Sequence, residues 1–261
     1  MTKTLQISRT RHVATVNLNR PTVRNAFNEA LIAELTAAFA HLGSDTDLRA
    51  IVLGGHGKSF CAGADLTWMR AMADYDWEQN RADAQKLADM LWTIYRCPVP
   101  VVGRIHGDCY AGGVGLAAVC DVLVAAEGVK FCLSEVGLGL LPATIGPYVI
   151  RALGEQAARR YFITAELFDT ATAKALGFVH EVVAADALDA KVDEIVARLV
   201  ANGPTAVRSC KRLLQDLAGR PIDDDLRADT ARCIADIRAT AEGKEGVQSF
   251  LNKSVPSWQR G

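Results

Sequence analysis

Glu135 is an acidic side chain whose neighbours could fit it for proton transfer. It lies in Phe131-Cys132-Leu133-Ser134-Glu135-Val136-Gly137-Leu138-Gly139-Leu140-Leu141-Pro142, with apolar residues on both sides. Burial disfavours the charged carboxylate, so such a setting would raise its pKa and suit it to acid–base work. A carboxylate facing solvent at a strand end is the ordinary alternative. Two other segments are built from small residues. In Ser59-Phe60-Cys61-Ala62-Gly63-Ala64-Asp65-Leu66 a ligand could approach the backbone closely and meet free amides, or the segment could be a tight strand-to-helix connection in which Asp65 serves the next helix. In His106-Gly107-Asp108-Cys109-Tyr110-Ala111-Gly112-Gly113-Val114-Gly115-Leu116 the glycines open a helix. Unpaired amides at such a start favour a developing oxyanion, whereas close helix packing would equally demand glycine. The pattern is neither the dinucleotide nor the P-loop phosphate fingerprint.

These segments need strands and helices to position them. Leu5 to Leu18 alternates loosely, as strand material does, and short apolar runs recur at Ala50–Leu53, Val99–Ile105, Val122–Ala126 and Lys130–Leu133. Asn25 is expected to cap a helix with Phe27, Leu31, Leu35, Phe39 and Leu42 on one face, and further helices are expected at Trp68–Tyr95 and Gly113–Cys120. Buried strands alternating with helices indicate an α/β domain with parallel strand character. Beyond about Gly154 the pattern is helical, at Ala187–Val200, Thr205–Leu217, Asp224–Thr240 and Gly243–Leu251.

Composition narrows the chemistry. The 261 residues carry a net charge of −1 and are 50% hydrophobic, an ordinary globular balance that offers no field for nucleic acid or an anionic membrane. An anionic ligand must be held by local groups. The seven cysteines, Cys61, Cys97, Cys109, Cys120, Cys132, Cys210 and Cys233, contain no C-x-x-C pair, which argues against a disulfide framework and a structural zinc site. Met1 to Thr10 lacks a signal-peptide apolar run, and no stretch approaches the roughly 20 apolar residues of a membrane span. The expectation is a reduced cytoplasmic protein without metal.

Together and in this order, the three segments resemble the enoyl-CoA hydratase/isomerase (crotonase) superfamily. The resemblance runs from Asn19-Arg20-Pro21 and Arg24-Asn25-Ala26-Phe27 to Phe250-Leu251-Asn252-Lys253, essentially the whole chain. It implies an α/β fold, the crotonase (ClpP-like) spiral of ββα units, with residues 1–195 as the spiral core. Residues 196–261 would form a helical C-terminal region that completes the CoA site and supports a homotrimer or dimer of trimers. It also implies an oxyanion hole made by the backbone amides of Ala64 and Gly112, where losing one donor costs about 3–4 kcal/mol, and a catalytic Glu135. Ala62, Ala64, Asp65, Leu66, Thr67 and Gly112 would line the CoA site, with Arg24 and Lys253 as candidates for the CoA phosphates. No separate cofactor is implied, since CoA enters as part of the acyl-CoA substrate, and neither nucleic acid nor membrane is an implied partner.

The chain departs from the family at one position. Typical hydratases carry two glutamates, and the first is replaced here by Gly115 while Glu135 is retained. Single-glutamate members include Δ3,Δ2-enoyl-CoA isomerases. Gly63-Ala64-Asp65-Leu66-Thr67-Trp68-Met69, Phe131 to Val136 and Ala158-Arg159-Arg160-Tyr161 resemble the bacterial 3-methylglutaconyl-CoA hydratase branch of leucine breakdown, which also has glycine at this place. The resemblance therefore implies a hydro-lyase acting on an α,β-unsaturated acyl-CoA, with double-bond isomerisation as one alternative and a catalytically silent acyl-CoA-binding scaffold as another. Arg104, Arg151 and Tyr148 are the candidates for holding a distal carboxylate.

Overall fold

A computed structural model describes residues 4–260. The chain opens with an antiparallel hairpin, β1 (Leu5–Thr10) and β2 (Val13–Leu18), and continues into α1 (Glu29–Ser44). Three turns of similar plan follow. The first holds β3 (Ala50–Gly55), β4 (Ser59–Cys61), α2 (Leu66–Met72) and α3 (Trp77–Tyr95). The second holds β5 (Val101–Ile105), β6 (Asp108–Tyr110) and α4 (Gly112–Ala118). The third holds β7 (Val122–Ala126), β8 (Lys130–Cys132), a 3-10 turn at Glu135–Leu138, α5 (Gly146–Leu153) and α6 (Glu155–Thr164). After β9 (Phe168–Asp169), α7 (Thr170–Ala175) and β10 (Glu181–Val183) come α8 (Leu188–Ala201), α9 (Pro204–Leu217), α10 (Asp224–Ala239) and α11 (Ala241–Leu251).

Each turn contributes one strand to each of two sheets. The larger runs β1-β2-β3-β5-β7-β10 and is parallel from β2 onward; the smaller runs β4-β6-β8-β9, its first three strands parallel. This is the expected spiral of ββα units. All six residues of β3 are buried, as parallel strands covered on both faces must be. Helix α8 runs through residues 195 and 196 and packs on β3, β5 and β7.

Two local expectations are corrected. The N-cap of α1 is Asn28, whose side chain accepts from the Leu31 amide at 2.9 Å, rather than Asn25. Asn25 is fully buried in the left-handed region (φ 56°); its Nδ2 donates to the carbonyls of His56 and Ser59, and its Oδ1 accepts from the Arg20 amide. It latches the loop before α1 to the loop before β4. The stretch from Trp68 to Tyr95 is two helices, because Asp76 caps a new start with Gln79 in a reciprocal capping box.

Helix α9 is tied to the core by a buried charge. Lys211 Nζ, with its side chain only 7% exposed, donates to Asp121 Oδ2 at 2.6 Å and to the Val99 carbonyl at 3.2 Å, and the same Oδ2 accepts from the Val101 amide. The outer helices expose apolar side chains, among them Leu214, Ile234, Val247, Phe250 and Leu251. Among the described residues no helix is long and apolar enough to cross a membrane. Lys211→Met removes one partner of the buried pair, and stability to urea is expected to fall by about 3 kcal/mol, with a smaller loss when Asp121→Asn is added.

Candidate active site

The small sheet sets the geometry. β4, β6 and β8 lie side by side and parallel, so the residues that follow their C-terminal ends emerge along one edge. Ala64 comes three residues after Cys61, Gly112 two after Tyr110, and Glu135 three after Cys132. The Ala111 amide donates to the Cys132 carbonyl at 2.8 Å, which holds the second and third of these segments together.

The direction of the Ala64 amide follows from its neighbour. Phe27 forms an isolated parallel bridge with Ala64, its amide donating to the Gly63 carbonyl and its carbonyl accepting from the Asp65 amide. In a parallel pair the residue between two such bonds turns its own N–H and C=O to the opposite side. The preceding residue lies close to the second segment: a Cβ placed on Gly63 would lie 3.7 Å from the Gly112 nitrogen and 3.0 Å from Ala111 Cβ. Gly112 is the first residue of α4, where an amide has no partner within its own helix. Among the described residues neither amide donates to a protein acceptor.

Ala111, immediately before Gly112, has φ 47° and ψ −120°. An L-residue in such a region typically carries about 1–3 kcal/mol of strain, which the surroundings must hold in place. The glycines around it divide the two roles anticipated for the segment. A Cβ on Gly113 would overlap the Cys61 carbonyl and one on Gly115 would overlap Ile145, so those two serve close packing. Gly112 instead lies under the Phe27 ring, 3.0 Å from where its Cβ would be.

Glu135 begins the 3-10 turn and is half-buried, with Oε2 shielded from solvent and without a hydrogen-bond partner among the described residues. Burial pushes its carboxyl above the usual range, against a smaller lowering by its own backbone amide. The segments leaving this edge expose Leu66 at the start of α2, Leu138 at the end of the 3-10 turn, and Leu140 and Leu141 beyond it.

The remaining candidates distribute unevenly. Ala62 spends its amide on the Arg24 carbonyl at 3.0 Å. Arg24, left-handed at φ 54°, is exposed and close enough to Tyr110 to act on its phenol, although burial dominates and raises that pKa. The Asp65 carboxylate is committed: it caps α2 through the Thr67 amide at 2.8 Å and pairs with Arg20 at 2.8 Å. Burial opposes its ionisation, but these two bonds prevail and keep its pKa below the usual value. Leu66 and Thr67 are exposed on the first turn of α2, and a cavity of about 490 Å³ beside them is lined by Arg20, Asn28, Asp65, Thr67 and Trp68. Lys253 stands exposed just past α11, a helix packed on α9 and α10, and among the described residues its side chain has no hydrogen bond to the other candidates.

Of the groups considered for a distal carboxylate, Arg104 is paired with Asp189 in a separate cavity that His106 also lines. Arg151 and Tyr148 both lie on α5; Arg151 Nη1 donates to Tyr95 Oη at 3.4 Å, and the Tyr95 and Tyr148 ring centroids are 5.3 Å apart. Sequence reasoning missed Phe27 as the strand partner of Ala64, Arg20 as the partner of Asp65, and Ile145. No local pattern marks a single-residue bridge or a contact across 30 positions.

A sequence profile for the enoyl-CoA hydratase/isomerase family matches residues 8–261. The enoyl-CoA hydratase ACTT6 of Alternaria alternata is 35% identical over 252 residues, 93% of this chain and 80% of that one. The 2,3-dehydroadipyl-CoA hydratase of Escherichia coli is 28% identical over 257 residues, 98% of each. The crystal structure of an enoyl-CoA hydratase from Shewanella pealeana superimposes with a TM-score of 0.94 at 39% identity, covering 98% of this chain and 96% of that one. With the match extending over nearly its full length, the chain belongs to the enoyl-CoA hydratase/isomerase family.

Proposed function

We propose that this enzyme adds water across the α,β double bond of an enoyl-CoA thioester, with Glu135 as its acid–base group and 3-methylglutaconyl-CoA as its substrate. The observation that carries the reading is a shielded, unpartnered carboxylate oxygen on the same sheet edge as two unbonded amides. The thioester oxygen accepts from the Ala64 and Gly112 N–H groups. Water oxygen bonds to Cβ while its proton passes to Glu135, and the electrons of the double bond move onto the thioester as an enolate. Glu135 then returns the proton to Cα, so one water is consumed and the carboxylate is regenerated. The two amide bonds strengthen as charge reaches the oxygen, which is the condition for them to accelerate the step.

The substrate assignment rests on the resemblance of Gly63–Met69 and Phe131–Val136 to the methylglutaconyl branch. A relative that acts on 2,3-dehydroadipyl-CoA, also the thioester of a dicarboxylic acid, supports it. Arg151 is the cation we assign to the distal carboxylate, because it pairs with no carboxylate among the described residues and stands with two phenols. Isomerisation through the same enolate remains the second reading, favoured by the presence of a single acid. Solvent labelled with ¹⁸O separates the two: hydration carries the label into product and isomerisation does not.

Glu135→Gln is expected to lower kcat by at least about 100-fold while leaving CoA-ester binding within a fewfold; near-normal turnover removes Glu135 from the mechanism. Because burial raises the Glu135 pKa and the base form must be ionised, kcat is expected to fall on acidification at a pH above the ordinary glutamate value of 4.5. The same raised pKa acts on stability in the opposite direction along the pH axis. A raised folded-state pKa means stability is lost as pH rises through it, so Glu135→Gln is expected to melt higher than the parent near pH 8, with the gap closing below pH 4.5. Arg151→Ala is expected to raise KM for 3-methylglutaconyl-CoA roughly tenfold or more and leave crotonyl-CoA unchanged, the measure of one lost charge-assisted bond.

A further inference from the structure

Position 115 is closed by a neighbour rather than left open. Gly115 is buried in α4, and a Cβ on it would overlap Cγ2 of Ile145 and come 2.5 Å from its Cβ. Ile145 is 1% exposed, and its carbonyl accepts from the Tyr148 and Val149 amides, so its backbone is held at the start of α5. A β-branched side chain there has little rotamer freedom with which to withdraw. Gly115 lies three residues, about one helical turn, beyond Gly112. Side chains on a helix lean toward its N-terminus, so any group carried at 115 would lean toward the end where the Gly112 amide opens. A second acid at that position would therefore reach the same edge as Glu135.

We propose that Ile145 is the positioning residue that commits this enzyme to a single carboxylate. Its side chain occupies the volume from which a group at 115 would approach the thioester, and Gly115 and Ile145 form a reciprocal large–small pair. The pair seats the helix bearing the Gly112 amide against α5 and keeps that wall apolar, so water is activated by Glu135 alone. The inference rests on the hydration reading above and adds to it the residue that sets the number of acids.

The test is a cycle on the full chain: Gly115→Glu, Ile145→Gly and the two combined. Gly115→Glu alone is expected to melt below the parent, and the double variant to recover part of that loss, since removing Ile145 makes room for the carboxylate. The double variant is also expected to hydrate crotonyl-CoA at least about tenfold faster than Ile145→Gly and to show one more ionisation in its kcat–pH profile than the parent. A role in packing alone would move the melting temperature and leave that profile unaltered. Two results overturn the proposal: Gly115→Glu as stable as the parent, or a folded double variant with the parent's pH profile and no gain on crotonyl-CoA. Should the double variant not fold, the cycle of Gly115→Ala with Ile145→Ala decides, strictly additive losses refuting the pairing and recovery supporting it. If the parent incorporates no solvent oxygen, hydration fails, while the stability coupling of the pair is still measured.

Discussion

The pairing of Phe27 with Ala64 is one bridge long, yet the site's electrostatics depend on it. By engaging the carbonyl of Gly63 and the amide of Asp65, Phe27 leaves the Ala64 N–H turned away from itself and, among the described residues, without a protein acceptor. An unpaired amide is costly in a protein interior and is tolerated where solvent or a ligand can satisfy it. Several apparently unrelated residues serve this one arrangement. Asn25 clamps the approach to Phe27 by three hydrogen bonds, and Arg20 ties Asp65 while donating also to the Ala26 carbonyl. Gly63, with φ 84°, leaves room for Ala111 at the start of α4.

The same edge holds its acid in the reverse condition. Where the two amides are donors without a protein acceptor, Glu135 has one oxygen removed from water and forms no ion pair among the described residues, and burial is what raises its pKa. Asp65 is a counterexample within a few residues of Ala64: it too is buried, but a helix start and a guanidinium keep it ionised. Two carboxylates near one edge are thus held in opposite states by their surroundings, one ionised in a structural role and one with its pKa raised.

Much of this arrangement could be read along the chain, because its periodic parts follow local rules. The long apolar strands of the large sheet and the amphipathic helices from α8 onward lie close to where hydrophobic spacing places them. Of the small sheet only β8 was legible, as the apolar run Lys130–Leu133; β4 and β6 are three residues each and coincide with the glycine-rich segments that look like loops. Asn25 looked like a helix cap because Asn favours caps, but the left-handed backbone and two buried carbonyls claimed it instead. The break at Asp76 lies inside the stretch Trp68–Tyr95 read as one helix; its signal in the sequence is the pair Asp76 and Gln79 three residues apart, the spacing of a capping box. Ile145 could not be found this way, for its meaning lies in the missing Cβ of a residue 30 positions earlier.

Ala111 invites one more thought. An alanine at φ 47°, ψ −120° is a backbone wound against its own preference, directly before an amide that must point one way. A glycine there would relax the tension and fold more comfortably, and the peptide that carries the donor would gain freedom to swing. Strain is thus held at this joint, and selection of this protein for heat resistance alone would tend to release it, yielding a sturdier chain with a looser peptide between residues 111 and 112.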